Sequence, residues 1–245
     1  MKSISFPIAR VDRLRRVAER ARELPDEHRG PSPEGWFASA YDAHDLIRVF
    51  DTLRLKAGFA LQAYALNEGM DGNGIIWGVP AEPSLVAPEE CPDLPVMWLD
   101  PPKPPGAVPL MQAIEGDGSP WSYLSASILR REAAEFGASW HGCDWSPQKI
   151  LSEPPRQADD QDVPVREEDR AGEAPASDWT WRGPVPKTWE PTYVERDSTK
   201  RVVLHIYNPV GEEQIYRATD TYPADSYDCT TRTRVLCTGS GGFIY

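Results

Sequence analysis

Apolar residues near the start of the chain recur with a helical period. Val11, Leu14 and Ala18 belong to a stripe at three- and four-residue spacing, which predicts an amphipathic helix over residues 8–24. Six arginines occupy much of the remaining helix surface, so this segment is basic and a solvated face is its default interpretation. A second helix is predicted after Asp42, a good N-cap residue. Its predicted buried face is Leu46, Val49, Phe50 and Leu53.

A β-hairpin is predicted next. Its strands are the apolar segments 59–66 and 75–79, and residues 67–74 between them are rich in glycine and asparagine. A phosphate-binding loop would need a helix after the glycines, and an apolar strand follows instead. A calcium loop would need carboxylates that this spacing does not supply. The segment is therefore interpreted as a hairpin turn whose glycines and asparagines tolerate the positive φ that a turn needs.

The middle of the chain is rich in proline and contains two further apolar segments. Residues 95–99 and 110–114 are both predicted as strands. Ser119 and Pro120 then form the clearest helix start in the sequence, with serine as N-cap and proline at the first helical position. This third helix is predicted to continue to about residue 136, because Gly137 is a typical helix stop.

The C-terminal part of the chain has the alternation of β-strands. Strands are predicted over 201–207, 213–219 and 231–238, the first two joined as a hairpin. The glycine-rich segment 238–242 has no helix after it, so it is interpreted as a turn. Together the patterns predict an α+β fold with a mixed or antiparallel sheet and about three helices.

Residues 153–178 differ in composition from the rest. They contain nine acidic residues, three arginines, four prolines and no aromatic residue, a local charge of −6. Such a segment buries too little apolar area to offset its ordering entropy, which predicts a disordered acidic linker. The predicted organisation is an α+β domain over 1–152, the linker over 153–178, and a β-rich segment over 179–245 packed on the first domain.

The composition and net charge of the chain exclude some classes of protein and favour others. The chain has 245 residues, 25 prolines and a formal net charge of −12. This charge argues against nucleic-acid binding and favours a basic protein partner. No segment has the length and apolarity of a membrane span or a signal peptide, and four scattered cysteines suit a reducing compartment. We therefore expect a cytoplasmic protein with no membrane association and no cofactor.

The most concentrated reactive residues lie between two tryptophans, at His141, Cys143 and Asp144. They can supply a nucleophile and a base, although catalytic pairs are normally brought together by the fold. His141 and Cys143 are also candidate metal ligands together with Cys229 and Cys237, although no Cys-x-x-Cys pair is present. The alternative is a helix-exit turn whose tryptophans pack into the core.

Tryptophans and prolines follow the acidic segment. Trp179, Trp181 and Trp189 are candidates for binding a partner peptide or stacking on sugar rings. The alternative is that they anchor the returning chain to the first domain.

The sequence contains no complete catalytic, nucleotide-binding or metal-binding motif. The primary hypothesis is therefore a non-enzymatic interaction module, for example an immunity- or inhibitor-type protein that binds a basic partner. The competing hypothesis is a hydrolase or a metal-dependent enzyme with its site near His141, Cys143 and Asp144. Carbohydrate binding through the tryptophans is a third.

Overall fold

The computed structural model of the protein is α+β and divides into two compact units. The first unit is Met1–Arg15, Pro147–Asp225 and Cys229–Tyr245, and the second is Arg16–Ser146 and Ser226–Asp228. The structure describes residues 1–23, 35–68, 71–81, 86–92, 100–157, 172–175 and 177–244. Within them are three α-helices and sheets whose neighbouring strands pair antiparallel, so the predicted fold class is confirmed.

The helices and strands of the described residues are numbered in chain order. The α-helices are α1 (Ile8–Arg22), α2 (His44–Arg48) and α3 (Pro120–Ala134). The strands are β1 (Lys2–Ser5), β2 (Trp36–Ala38), β3 (Leu53–Leu55), β4 (Phe59–Glu68), β5 (Asp71–Pro80), β6 (Val108–Pro109), β7 (Ile114–Gly116), β8 (Lys149–Ile150), β9 (Thr180–Trp181), β10 (Thr192–Arg196), β11 (Thr199–Asn208), β12 (Gln214–Tyr222) and β13 (Thr230–Thr238). None of the described helices is long and apolar enough to cross a membrane.

The first unit is built on one antiparallel sheet. Among the described residues it has seven strands in the order β1-β10-β11-β12-β13-β9, with β8 pairing with β11. The strands predicted over 201–207, 213–219 and 231–238 correspond to β11, β12 and β13, and the predicted hairpin is the β11–β12 pair. Strand β1 was not predicted from the sequence, because it has only four residues; it pairs with β10. The first strand of the chain thus joins a sheet formed mainly by its last third.

The second unit contains the predicted hairpin and the third helix. Strands β4 and β5 pair along their whole length, within the sheet order β2-β4-β5-β6, and β3 pairs with β7. The Ser119 side chain accepts a hydrogen bond from the Ser122 backbone N–H at 3.1 Å, which confirms the predicted cap of α3. Gly137 has φ of +67°, as a glycine that ends a helix requires.

Two predicted elements differ from the structure. Residues Leu110–Ala113 form a 3₁₀ turn rather than a strand, and only Ile114 continues into β7. A short apolar run fits a buried turn as well as a strand, so periodicity alone cannot distinguish them. Helix α2 has only five residues, and the Asp42 carboxylate accepts a hydrogen bond from the His44 backbone N–H at 3.0 Å just before it.

The glycines of the predicted 67–74 turn have a different role. Gly72 and Gly74 lie within β5, and neither has positive φ. A Cβ on Gly72 would lie 2.6 Å from the carbonyl oxygen of Gly137, and one on Gly74 would overlap the carbonyl oxygen of Phe136. Glycine is therefore required at both positions, because the backbone that follows α3 crosses β5 too closely to leave room for a Cβ atom.

Helix α1 confirms the first predicted helix, but one of its arginines is buried. Arg22 is only 5% exposed, whereas the sequence pattern places it with the solvent-facing arginines. Its Nε donates to the Glu132 carboxylate at 2.8 Å, and an Nη atom lies 2.9 Å from the Glu135 carboxylate. The Trp145 indole N–H donates to the other oxygen of Glu132 at 2.8 Å. This network ties the end of α1 to α3 and to the chain that follows it.

Two predicted segments lie outside the described residues. They are the strand predicted over 95–99 and most of the acidic linker predicted over 153–178. The described ends of the second segment belong to the first unit. The Ser152 N–H donates to the Gly172 carbonyl at 2.9 Å, and Gln157 and Ser177 form an isolated β-bridge.

Candidate functional site

One face of the large sheet divides into an apolar half and a basic half. Directly paired residues of an antiparallel sheet lie on the same face. Tyr207, Ile215 and Cys237 therefore form one row across β11, β12 and β13. The next rows along the same face are His205–Arg217–Arg234, Val203–Thr219–Arg232 and Arg201–Thr221–Thr230.

The apolar half is covered by the tryptophans that were candidates for ligand binding. Trp179 and Trp189 are 6% and 5% exposed and pack in one cluster with Tyr207 and Ile215. Trp181 is partly buried against this cluster, its ring edge-on to Trp189 at 6.1 Å between centroids. The rings of Trp179 and Trp189 therefore fill the core of the first unit, and only Trp181 keeps part of its surface in solvent.

A buried carboxylate closes the end of the apolar half. Glu213 is 3% exposed and accepts hydrogen bonds from Ser177 Oγ at 2.7 Å, the Tyr207 hydroxyl at 2.9 Å and the Gly241 N–H at 2.9 Å. A Cβ on Gly239 would overlap a Glu213 carboxylate oxygen. The glycine-rich segment 238–242 thus packs closely around the Glu213 carboxylate. This close packing explains why the segment is rich in glycine, and no phosphate ligand is needed to explain it.

The basic half is a groove lined by arginine and threonine side chains. Its volume is about 740 Å³. The lining residues are Arg201, Arg217, Thr219, Thr221, Thr230, Thr231, Arg232, Thr233 and Arg234. Within the described part of the chain, none of these four arginines forms an ion pair or a side-chain hydrogen bond. We call this surface the arginine groove.

His205 lies at the boundary between the two halves. It is buried, its ring is 4.8 Å from that of Trp189, and its Nδ1 is 3.1 Å from the Trp189 carbonyl oxygen. Burial lowers the pKa of His205, and the nearby positive charge of Arg217 acts in the same direction. The imidazole is therefore neutral at neutral pH, with Nδ1–H donating to the carbonyl. The positive charge of the groove comes from its arginines.

The predicted catalytic residue His141 contacts a partner that the sequence did not reveal. Its Nδ1 is 2.9 Å from the Asp71 carboxylate, and its Nε2 accepts from the Trp140 indole N–H at 3.1 Å. Asp71 begins β5, and residues Trp140–Gly142 form a 3₁₀ turn after α3. Trp140 has φ of +49°, a conformation that costs a non-glycine residue energy. Asp71 is separated from His141 by 70 positions, so no local spacing could have revealed the pair.

The remaining predicted site residues are dispersed. Cys143 is partly exposed and Asp144 is exposed, whereas Cys229 and Cys237 are buried. Burial raises the pKa of the Cys237 thiol to about 11. Among the described residues, no three or more His, Cys, Asp or Glu side chains are grouped to hold a metal ion. The predicted ligand set His141, Cys143, Cys229 and Cys237 is therefore not assembled as a metal site.

Comparison with known proteins finds no matching family, no similar curated protein and no similar solved structure. The chemistry of the protein's surfaces is therefore the basis for its function. The arginine groove combines the positive charges of four arginines with a concave shape. The alternation of threonine and arginine over 230–234 was its only sequence signal.

Proposed function

We propose that the protein is a non-enzymatic interaction module that binds an anionic protein segment in the arginine groove. The observation that carries the proposal is the group of four arginines on one sheet face. Guanidinium groups are weakly hydrated and bind carboxylates and phosphates in a planar, two-pronged geometry. The hydroxyls of Thr219 and Thr221, on the same sheet face, add donors of hydrogen bonds to this surface.

The groove is unusual for a chain with this overall charge. The protein carries 38 acidic and 26 basic residues, yet the groove is lined by arginines and neutral threonines. A concave surface of one sign attracts ligands of the opposite sign and raises their association rate. The basic partner expected from net charge remains a prediction. The groove supports an acidic one.

Binding to a plain polyanion tests this proposal. We expect a fluorescently labelled oligoglutamate peptide to bind the full chain at low salt, with an affinity that falls as salt rises. The double variant Arg217→Gln/Arg234→Gln should weaken binding at least about tenfold, because two charge-assisted hydrogen bonds are lost. Fluorescence anisotropy measures both affinities.

A matched control distinguishes binding at the arginine groove from a general effect of removing two positive charges. Arg13 and Arg16 are exposed on α1, so Arg13→Gln/Arg16→Gln removes the same charge elsewhere. This variant should bind oligoglutamate as the unmodified protein does. Equal weakening by both double variants, or no binding at low salt, would contradict the proposal.

A second candidate function, hydrolysis, is favoured by the Asp71–His141 pair. A carboxylate on Nδ1 fixes the tautomer in which Nε2 is the free basic atom, as a general base requires. In this structure Nε2 accepts the Trp140 N–H, so the base acts only after that hydrogen bond opens. Metal-dependent chemistry at the same residues remains a prediction, since the described residues contain no cluster of metal ligands.

An activated ester distinguishes the two candidates. If the pair is a general base, the protein accelerates the hydrolysis of p-nitrophenyl acetate, Trp140→Phe raises the rate by freeing Nε2, and His141→Gln removes the acceleration. The interaction proposal instead predicts the same rate of hydrolysis for the unmodified protein, Trp140→Phe and His141→Gln. A higher rate for Trp140→Phe together with a lower rate for His141→Gln would contradict it. Absorbance of the released nitrophenolate provides the measurement.

A further inference from the structure

Three of the groove arginines surround one small area of the sheet. Arg217 lies directly opposite Arg234, and Thr219 lies directly opposite Arg232. Opposite Cβ atoms are about 5 Å apart, and residues two positions apart along a strand are about 7 Å apart. The four side chains therefore start from the corners of a compact block with three positive charges and one hydroxyl.

Like charges placed directly opposite each other destabilise a sheet. No described acidic side chain forms an ion pair with Arg217, Arg232 or Arg234. Asp220 of β12 lies directly opposite Thr231 of β13, next to the block. Its carboxylate accepts a hydrogen bond from the Thr231 hydroxyl at 2.6 Å and forms no ion pair with these arginines. A bound anion would remove the repulsion within the block.

The groove also borders a sheet edge. On one side β13 pairs with β12 from Thr230 to Thr238, whereas on the other side β9 pairs only with Cys237 and Thr238. Residues 232–235 therefore have no second strand partner among the described strands. An exposed strand edge is where an extended peptide adds as a further strand.

We infer that the arginine groove binds an extended peptide segment of a partner protein that carries a phosphorylated side chain. The peptide backbone pairs with the edge of β13 at residues 232–235, and the long side chains of Arg217, Arg232 and Arg234 reach the phosphate from the neighbouring block. This inference rests on the proposed function and names its ligand class.

The charge of the block favours a phosphate monoester over a carboxylate. A phosphate monoester carries close to two negative charges at neutral pH and offers three acceptor oxygens, whereas a carboxylate carries one charge and two oxygens. Three guanidinium groups can each donate to a separate phosphate oxygen. Alternate residues of an added strand point to the groove face, so a single phosphorylated position in register suffices.

Three matched peptides test the inference on the full chain. They are a short peptide of alternating valine and threonine with a central phosphothreonine, the same peptide without phosphate, and the same peptide with glutamate at that position. We expect the phosphopeptide to bind at least about tenfold more tightly than the glutamate peptide. Arg217→Gln/Arg234→Gln should reduce this binding about a hundredfold, and Arg13→Gln/Arg16→Gln should leave it unchanged. Isothermal titration calorimetry gives the affinities.

Other outcomes separate the parts of the inference. Equal binding of the phospho and glutamate peptides would overturn phosphate selection while oligoglutamate binding still supports the proposed function. Inorganic phosphate that binds as tightly as the phosphopeptide would overturn the peptide component. A phosphopeptide methylated on alternate backbone nitrogens should lose affinity, and unchanged affinity would overturn pairing with β13. Failure of both oligoglutamate and phosphopeptide would overturn the inference together with the proposed function.

Discussion

Replacing Arg22 by methionine is expected to reduce the free energy of unfolding by about 3–5 kcal/mol. Removing one partner of a buried ion pair leaves the other charge buried and uncompensated, and losses of this size are typical. In this protein two carboxylates lose their cation at once, since Arg22 contacts both Glu132 and Glu135. Urea-induced unfolding followed by tryptophan fluorescence measures the change.

The neighbouring bonds show why the network cannot simply relax. Arg22 also donates to the Glu135 backbone carbonyl at 2.8 Å and to Ser146 Oγ at 2.5 Å. Glu135 accepts from the Ser146 hydroxyl at 2.6 Å and from the Trp145 backbone N–H. The two carboxylates are thus fixed by other donors, and they cannot turn towards solvent without breaking those bonds.

Arg20 provides the matched control because it lies on the same helix and is exposed. Arg20→Met should change stability by less than about 0.5 kcal/mol. A double variant, Arg22→Met with Glu132→Gln, should recover part of the loss, because one uncompensated charge is removed as well. Equal effects of Arg22→Met and Arg20→Met would show that the buried network contributes little to stability.

Replacing Glu213 by alanine is expected to reduce the free energy of unfolding by about 3 kcal/mol. The substitution leaves Ser177 Oγ, the Tyr207 hydroxyl and the Gly241 N–H without their common acceptor. Each hydrogen bond to a charged group contributes about 1.5–3 kcal/mol, and the contributions are not additive within one cluster. Thermal unfolding at several protein concentrations measures the loss and checks that it is unimolecular.

Glu212 is the adjacent, exposed glutamate and serves as the control. Glu212→Ala should change stability by less than about 0.5 kcal/mol, and Glu213→Gln should lie between the two alanine variants, since its amide keeps one acceptor oxygen. A Glu213→Ala protein as stable as Glu212→Ala would mean that water replaces the carboxylate as acceptor, and that the 238–242 segment does not depend on it.

The sequence predicted elements whose signals are local. The Ser119 cap and the alternation of β11 to β13 depend on residues close together in the chain, and the structure confirms them. The 110–114 prediction was wrong because a short apolar run is compatible with a 3₁₀ turn. The turn predicted over 67–74 was too long, because Gly72 and Gly74 lie within β5 and face the chain that crosses it.

The candidate site could not be predicted from the sequence, because its residues are brought together by contacts between distant parts of the chain. The arginines of β13 were visible as an alternation, but their grouping with Arg217 and Arg201 depends on strand register. Helical periodicity could not show that Arg22 turns inward, because its acidic partners lie 110 or more positions away. For the same reason the Asp71–His141 pair becomes visible only when the 3₁₀ turn after α3 is placed beside β5.

We expect anionic ligands to bind at the arginine groove and not at the other basic surfaces. Two-dimensional ¹H–¹⁵N NMR of the arginine Nε–Hε groups tests it most directly, with phosphopeptide titrated into the full chain at physiological salt. We expect saturable shifts at Arg217, Arg232 and Arg234, and no shifts at Arg13 and Arg16. Shifts distributed over all exposed arginines, or confined to the α1 arginines, would contradict it.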